Sequence, residues 1–198
     1  MLYLIGGPSR SGKTLLARKL LELRRIPYFC ADYLTSGLEA GAPSLGVNHD
    51  LPSQTRGELA WPVLAGVLCN LVEVEPEYLV EGDALLPSKV ATFVAGHRGQ
   101  VRACFLGYSR SSLEAKCTSV RTYPSPVNDW VAGIADGGLV ELVMEMRAFS
   151  EFLEADCRTH GLRYFDGSDD FPLALEQAQA YLLGRDAAEQ GDKGDEAR

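Results

Sequence analysis

The chain has 198 residues and carries 27 acidic residues against 19 lysines and arginines, which gives a net charge of −8. This length suits one domain with some decoration, and 46% hydrophobic with 23% charged residues is the balance of a soluble globular protein. Collagen, coiled-coil and wholly disordered chains are excluded by this composition. The acidic balance argues against a nucleic-acid partner, because counterion release requires a basic face.

Signals for export, membrane insertion and metal cages are weak in the sequence. No stretch approaches the roughly 20 continuous apolar residues of a membrane helix. The N-terminal sequence MLYLIGGPSRSGKT lacks the basic lead and apolar run of a secretory signal. The five cysteines are scattered without a CxxC pair, which favours buried free thiols over disulfides or a zinc site. We therefore expect a cytoplasmic protein with no membrane partner.

Apolar runs of strand length alternate with helix-length periodic segments along the chain. This order is typical of βαβ units in a mainly parallel sheet, so the predicted fold class is α/β. Five strands are predicted at residues 2–5, 26–30, 78–80, 101–106 and 162–165. Helices are predicted at about residues 12–24, 56–72, 87–95, 139–153 and 173–183.

Three segments do not fit this regular alternation. Residues 35–56 include a long stretch rich in glycine, proline, serine and asparagine, which predicts a loop that holds substrate. Residues 109–128 contain three basic side chains and end near two prolines, which predicts a mobile lid. Residues 185–198 have almost no large apolar side chain and are predicted to form a disordered acidic tail. The folded domain is therefore expected to span residues 1–184.

The strongest motif lies between the first predicted strand and the first predicted helix. It matches G-x-x-x-x-G-K-[ST] at every position, with backbone N–H groups and the helix N-terminus available to bind phosphates. We expect Lys13 to lie between the outer two phosphates of a nucleoside triphosphate and the Thr14 hydroxyl to bind Mg²⁺. The predicted nucleotide-binding residues are Gly7, Pro8, Ser9, Arg10, Ser11, Gly12, Lys13 and Thr14.

Acidic residues follow two further predicted strands, at the edge of the sheet where ligands bind in α/β folds. Glu81 and Asp83 follow the third strand, and either could serve Mg²⁺. Asp32 follows the second strand, where a base could orient an acceptor hydroxyl toward the γ-phosphate. Each of these carboxylates could instead be a turn or helix-capping residue.

With these residues, the chain resembles the small P-loop kinases of the nucleoside and nucleotide kinase-like group. This group includes adenylate kinase, shikimate kinase, gluconate kinase, chloramphenicol phosphotransferase and zeta-toxin-like kinases. The resemblance covers residues 1–184 in element order and is specific in the sequence GPSRSGKT. It implies a three-layer α/β/α P-loop NTPase fold with a five-stranded sheet and a lid. The segment LVEGDALLP is also similar to 2-phosphoglycerate kinase-like proteins.

The resemblance implies roles for several residues. Asp32 would contact the acceptor, and Gly167 with Ser168 would border the adenine, after the fifth strand. A lid cation would neutralise charge on the phosphates, and its candidates are Arg110, Lys116 and Arg121. The chain lacks the NKxD guanine signature, which argues against a GTPase. It also lacks the DGxPR-type stretch of adenylate kinases, so a nucleoside monophosphate is a doubtful acceptor.

Two functional hypotheses follow from the sequence. The first is an ATP- and Mg²⁺-dependent kinase that transfers the γ-phosphoryl group to a hydroxyl of a small molecule. The second is a nucleotide-binding switch with slow hydrolysis that acts through a protein partner. For the kinase, His49, Asp50 and Arg56 are candidate contacts for a polar or anionic acceptor, unless they belong to a solvated loop. The acceptor, the choice between ATP and GTP, and the oligomeric state stay open.

Overall fold

The computed structural model of the chain describes residues 1–124, 129 and 131–184. Each strand is followed by one or two α-helices, in agreement with the α/β order that the apolar pattern predicts. The strands are β1 (Leu2–Gly6), β2 (Tyr28–Cys30), β3 (Tyr78–Gly82), β4 (Val101–Gly107) and β5 (Arg163–Asp166). The helices are α1 (Lys13–Arg24), α2 (Ala31–Gly41), α3 (Ser53–Val74), α4 (Pro87–Gly96), α5 (Leu113–Thr122), α6 (Asp136–His160) and α7 (Phe171–Leu182).

All five strands pair in parallel, in the order β2-β3-β1-β4-β5. The central strand β1 aligns Ile5 with Glu81 of β3 on one side and with Cys104 of β4 on the other. The carboxyl ends of all five strands therefore lie along one edge of the sheet. This arrangement confirms the predicted five-stranded parallel sheet and brings the residues after each strand to a common edge.

Helices cover both faces of the sheet. Along β1, Leu2 and Leu4 pack into the core with residues of α3, α4 and α6, whereas Tyr3 and Ile5 pack with residues of α1 and α7. This alternation follows from the period of two along a strand, and it requires an apolar residue at every position of a strand buried on both faces. The three-layer α/β/α architecture is confirmed.

The segment 35–56, predicted as a loop, is mostly helical. Helix α2 continues to Gly41, a short 3-10 helix spans Pro43–Leu45, and α3 begins at Ser53. The loop prediction is therefore wrong for most of this segment. Its glycines and prolines were given too much weight, since α2 also contains good helix formers and buries Thr35 on the domain. A role for this segment in substrate binding stays a prediction.

Helix α3 is the one helix among the described residues that is long and apolar enough to cross a membrane, judged by length and composition. In this structure it forms part of a layer of the domain. Leu64 and Leu68 are fully buried in the core, and Arg56 is buried near its N-terminus. The helix therefore contributes both to the core and, through its first turn, to the edge of the sheet where the strands end.

The predicted lid includes helix α5, which follows β4. A small cluster joins α5 to the start of α6 through Val120, Leu139 and Val143, together with Val131 from the connection between them. Residues 125–128 of the predicted lid lie outside the described residues, and so does the predicted tail at 185–198. The described part of the lid is thus a helix packed on α6.

Candidate active site

The G-x-x-x-x-G-K-T motif lies between β1 and α1, the position in which a phosphate-binding loop occurs. Gly7 has φ +150, and a Cβ at this position would lie 2.2 Å from the carbonyl oxygen of Leu106, so glycine is required. Lys13 is buried and its Nζ donates to the carbonyl oxygen of Pro8 at 2.9 Å. The buried Ser11 Oγ has no hydrogen-bond partner, so this hydroxyl is available to a ligand of the loop.

Glu81 lies beside this loop on the adjacent strand. The Thr14 hydroxyl donates to Glu81 Oε1 at 2.8 Å. Glu81 is only 1% exposed, and its second oxygen, Oε2, has no partner. A buried carboxylate oxygen without a donor is costly, which indicates that something else binds it in the working protein.

Asp32 is the second residue of α2, directly after β2. The helix can begin this close to β3 because Gly82 has no side chain, since a Cβ there would lie 2.7 Å from the Ala31 Cβ. Asp32 Oδ1 is buried without a hydrogen-bond partner. Burial, followed by the nearby Asp83 carboxylate, raises the pKa of Asp32 to about 6. At neutral pH the side chain is therefore mostly ionised and can accept a proton.

Asp83 pairs with Arg56 and not with the phosphate-binding loop. Arg56 Nη2 donates to Asp83 Oδ2 at 2.5 Å and to Ser53 Oγ at 3.2 Å. Arg56 Nη1 donates to the carbonyl oxygens of His49 and Leu51 at 3.3 and 3.2 Å. The two carboxylates that the sequence offers for Mg²⁺ thus have different partners, and Glu81 is the one bonded to Thr14.

The residues around Thr14 fit a magnesium ion. Mg²⁺ prefers oxygen ligands and is usually held by one or two carboxylates, with water and substrate phosphates completing its shell. The Thr14 hydroxyl and the unpartnered Oε2 of Glu81 supply such oxygens on one side of the loop. Among the described residues, no group of three His, Cys, Asp or Glu side chains forms a metal cage. The site therefore fits a Mg²⁺ ion that is bound both by Thr14 and Glu81 and by the phosphates of a nucleotide.

Arg110, a candidate lid cation, lies beside the loop after β5. Its guanidinium is 3.5 Å from Asp166 and 3.4 Å from Asp169, and its backbone N–H donates to Ser168 Oγ at 3.1 Å. The backbone N–H of Gly167 donates to the Gly107 carbonyl at 2.8 Å. The structure therefore brings Arg110, Gly167 and Ser168 together at the ends of β4 and β5.

Lys116 contacts the phosphate-binding loop itself. Its Nζ donates to the Arg10 carbonyl at 2.8 Å and lies 3.7 Å from the centre of the Tyr108 ring. The Tyr108 hydroxyl donates to the Ser9 carbonyl at 2.8 Å, and the Arg10 guanidinium pairs with Asp129 at 2.6 Å. We call these contacts to Ser9 and Arg10 the lid latch. Arg10 has φ +63, so the latch holds a residue in an unfavourable backbone conformation.

Arg121, the third candidate lid cation, lies at the end of α5 and away from these contacts. Its guanidinium donates to the carbonyl oxygens of Val131, Ala132 and Ile134 and pairs with Asp136 at 3.0 Å. In this structure Arg121 therefore joins the end of α5 to the start of α6. The Arg121 side chain is partly exposed. Lys116 is more deeply buried, and this burial lowers the pKa of its ammonium group to about 8.

Comparison with solved structures identifies the fold. The chain is similar to a gluconokinase from Sinorhizobium meliloti 1021, with a TM-score of 0.57, 18% identity, and coverage of 96% of both chains. It is similar to a shikimate kinase from Acinetobacter baumannii, with a TM-score of 0.55, 14% identity, and coverage of 96% of this chain and 94% of that one. A sugar kinase from Janibacter sp. HTCC2649 matches with a TM-score of 0.53, 17% identity, and coverage of 92% and 94%.

These neighbours are kinases, and the chain has their fold. The resemblance stated from the sequence is thus confirmed for the fold. No protein-family model matches the sequence, and no curated protein matches it significantly.

Proposed function

We propose that the protein is an ATP- and Mg²⁺-dependent kinase that phosphorylates a hydroxyl group of a small molecule. One observation carries this proposal. A phosphate-binding loop is hydrogen-bonded to a buried glutamate, and a second carboxylate with an unpartnered oxygen, Asp32, lies close enough for the charges of Lys13 and Glu81 to act on it. A nucleotide site with a base close by is what phosphoryl transfer to an alcohol requires.

The loop residues would bind the triphosphate and its metal ion. Backbone N–H groups from Gly7 to Thr14 would hold the phosphates, and Lys13 would exchange the Pro8 carbonyl for the β- and γ-phosphate oxygens. The Thr14 hydroxyl and Glu81 would hold Mg²⁺, Glu81 directly or through water. Bound Mg²⁺ would neutralise the negative charge that builds up on the phosphates.

Transfer would proceed by in-line displacement. The acceptor oxygen forms a bond to the γ-phosphorus as the bond from this phosphorus to the β–γ bridging oxygen breaks, and ADP leaves. The acceptor hydroxyl gives its proton to the Asp32 carboxylate. Because the transition state is loose, Asp32 contributes mostly by orienting the hydroxyl.

The remaining predicted residues divide between the nucleotide base and the lid. We assign Arg110, Gly167 and Ser168 to the adenine side, because they lie together at the ends of β4 and β5. We assign Arg121 to the end of the lid helix α5. We assign to the lid latch the role of supporting the phosphate-binding loop. The kinase neighbours support this scheme through their fold, and one of them is described in complex with shikimate. We also propose a cytoplasmic location, because the reaction consumes ATP.

The test measures ADP release from Mg·ATP by the wild-type protein and by Lys13→Ala, with Lys89→Ala in α4 as the matched control. We expect a low rate alone and a large increase when a panel of hydroxyl compounds is added. The increase should disappear in Lys13→Ala and persist in the control. Equal rates and equal nucleotide binding in wild type and Lys13→Ala would contradict the proposal.

The same assay separates the kinase from a nucleotide-binding switch. A switch would hydrolyse ATP slowly without any acceptor, and only a protein partner would change its rate. Mass spectrometry of the reaction mixture gives the second readout, because a kinase leaves a phosphorylated acceptor and a switch leaves inorganic phosphate. Release of phosphate alone, unchanged by every small molecule, would favour the switch.

A further inference from the structure

The acceptor side of the site is built from one strongly acidic stretch of chain. Residues 26–88 supply β2, α2, α3 and β3 and contain nine acidic side chains but one lysine or arginine, Arg56. By contrast, the candidate cations of the lid lie at residues 110–121, after β4. From these elements, an acceptor held near Asp32 therefore meets one cation at most. The other cation that acts on Asp32 is Lys13 of α1, which is assigned to the nucleotide phosphates.

That one cation, Arg56, already has buried partners. Arg56 has a side chain 10% exposed, and it pairs with Asp83, which is 9% exposed. Four hydrogen bonds to Asp83, Ser53 and the carbonyls of His49 and Leu51 use both terminal nitrogens of the guanidinium. A carboxylate or phosphate on an acceptor would have to break this buried ion pair to reach Arg56, which is costly.

His49, the other basic side chain of this region, is also compensated. Its Nδ1 contacts the Glu39 carboxylate, and its Nε2 lies 3.4 Å from Ser36 Oγ. Asp50 follows it in the chain and adds a further negative charge. The candidate acceptor contacts His49, Asp50 and Arg56 therefore provide no net positive charge for an anion.

The polar groups that lack partners here are hydrogen-bond acceptors. Asp32 Oδ1 is buried and unpartnered, and Asp83 lies next to Asp32, whereas the other unpartnered oxygen, Glu81 Oε2, is already assigned to Mg²⁺. Carboxylate oxygens accept hydrogen bonds and attract metal ions or cations, but they repel another carboxylate. A ligand with hydroxyl or ammonium donors matches this set, whereas an acid does not.

We propose that the acceptor is a polyhydroxy compound without an anionic group, either a neutral polyol or sugar or one that carries an amine. This inference rests on the proposed kinase function and names the substrate class for the same site. The phosphoryl group is transferred as described above, with the proton of the attacked hydroxyl passing to Asp32. Selection against acids follows from the engaged Arg56 and the surrounding carboxylates.

A matched series of probes tests the charge alone. Gluconate, glucitol and glucamine share a six-carbon polyol chain and carry an anionic, a neutral and a cationic end, and shikimate with its methyl ester repeats the comparison on a ring. The readouts are the thermal shift in the presence of Mg²⁺ and a nonhydrolysable ATP analogue, and kcat/KM with Mg·ATP. The better non-anionic probe should exceed the acid in each set by about tenfold or more, which corresponds to about 1.4 kcal/mol.

A variant tests whether the engaged arginine is the cause. Asp83→Asn leaves Arg56 without its anion, so the preference should move toward gluconate by about tenfold. The control Glu73→Gln removes one exposed acidic charge from α3 and should leave the ratio unchanged. If Asp83→Asn does not fold, the wild-type ratio still decides the question.

Each result bears on a separate claim. Acids that bind or react as well as their neutral or cationic counterparts overturn the inference, and so does a protein that binds none of the non-anionic probes. Failure to bind Mg·ATP, or binding that Lys13→Ala does not change, contradicts the proposed kinase function instead. Turnover of gluconate alone would therefore leave the kinase proposal standing and reject the substrate class.

Discussion

The hydroxyl of Thr14 donates a hydrogen bond to Glu81 across 2.8 Å and links the phosphate-binding loop to strand β3. The two residues are 67 positions apart in the sequence and meet because β1 and β3 are parallel neighbours, with Ile5 opposite Glu81. The bond leaves the second oxygen of Glu81 free. Thr14 and Glu81 are therefore held in place before any metal ion binds, so less ordering is needed when Mg²⁺ arrives.

Glu81→Gln should weaken the response to Mg²⁺. The amide keeps the size of the side chain but loses the charge that favours a divalent cation. We expect the Mg²⁺ concentration for half-maximal ADP release to rise by roughly 10- to 100-fold. Glu73→Gln on α3 is the control. An unchanged Mg²⁺ dependence in Glu81→Gln would exclude Glu81 from the metal site.

Asp32→Asn should reduce kcat and leave nucleotide affinity nearly unchanged. The amide cannot take the proton of the acceptor hydroxyl, whereas the phosphate-binding loop is intact. A loss of about 100-fold in kcat is expected when the group that orients the acceptor hydroxyl and takes its proton is removed. Steady-state kinetics with a responsive acceptor, together with calorimetry of nucleotide binding, measures both quantities. A normal kcat would show that another group orients the acceptor.

The pKa of Asp32 predicts a pH dependence of stability in the absence of Mg²⁺ and nucleotide. Burial and Asp83 raise it from 3.8 to about 6 on folding. Between these pH values the folded state binds more protons than the unfolded state, so stability decreases as pH rises through this window. Asp32→Asn removes this loss, and its advantage over wild type should grow by up to about 2 kcal/mol between pH 4 and 7.

Denaturant unfolding at a series of pH values provides the measurement. Asp50→Asn, at an exposed loop position, is the control and should follow the wild-type curve closely. A variant Asp32→Asn whose stability runs parallel to wild type across this window would show that folding does not shift the pKa of Asp32.

Arg56→Met should destabilise the domain more than loss of a surface charge would. It leaves Asp83 buried without its cation, a situation that typically costs about 3–5 kcal/mol. The double variant Arg56→Met/Asp83→Asn removes the unpaired charge as well and should recover part of the loss. Denaturant unfolding is compared with the exposed control Arg98→Met. A double variant less stable than Arg56→Met would contradict the proposed pairing.

Lys116→Met tests the lid latch. Methionine retains much of the apolar stem on Tyr108 but cannot donate to the Arg10 carbonyl, so the loop should be held less firmly. We expect nucleotide to bind about fivefold more weakly, corresponding to about 1 kcal/mol for the lost hydrogen bond. The acceptor KM should stay constant, and Lys89→Met serves as the control. Unchanged nucleotide binding would show that the latch does not support the loop.

The sequence was sufficient for the fold and for the phosphate-binding loop because both are encoded locally. Apolar runs marked each strand, and the eight residues from Gly7 to Thr14 carry their own geometry in glycine, lysine and the start of a helix. The position of Asp32 beyond β2 followed from the same reasoning. The prediction failed for α2, because its glycines and the prolines that follow it concealed a helix that packs on the domain.

Long-range pairings could not be obtained in this way. Arg56 and Asp83 are 27 residues apart, and Arg10 and Asp129 are 119 apart, so neither pair leaves a local periodic signal. The sequence left open whether Glu81 or Asp83 serves Mg²⁺, because the ion pair between Asp83 and Arg56 could not be read from it. That a lid cation lies over the phosphates stays a prediction, and the contact of Lys116 with the Arg10 carbonyl is a further long-range pairing that the sequence did not reveal.

The strand order has a consequence for how such a protein could change its substrate. Strands β2 and β3 are hydrogen-bonded neighbours, with Phe29 opposite Val80, and the chain between them supplies α2 and α3. That whole stretch leaves and re-enters the sheet at adjacent positions, on the opposite side of β1 from β4 and β5. This segment could therefore be exchanged as one piece without changing the order of the strands. Under the proposed function, we predict that exchange of residues 31–77 alters acceptor recognition and leaves Gly7–Thr14 in place.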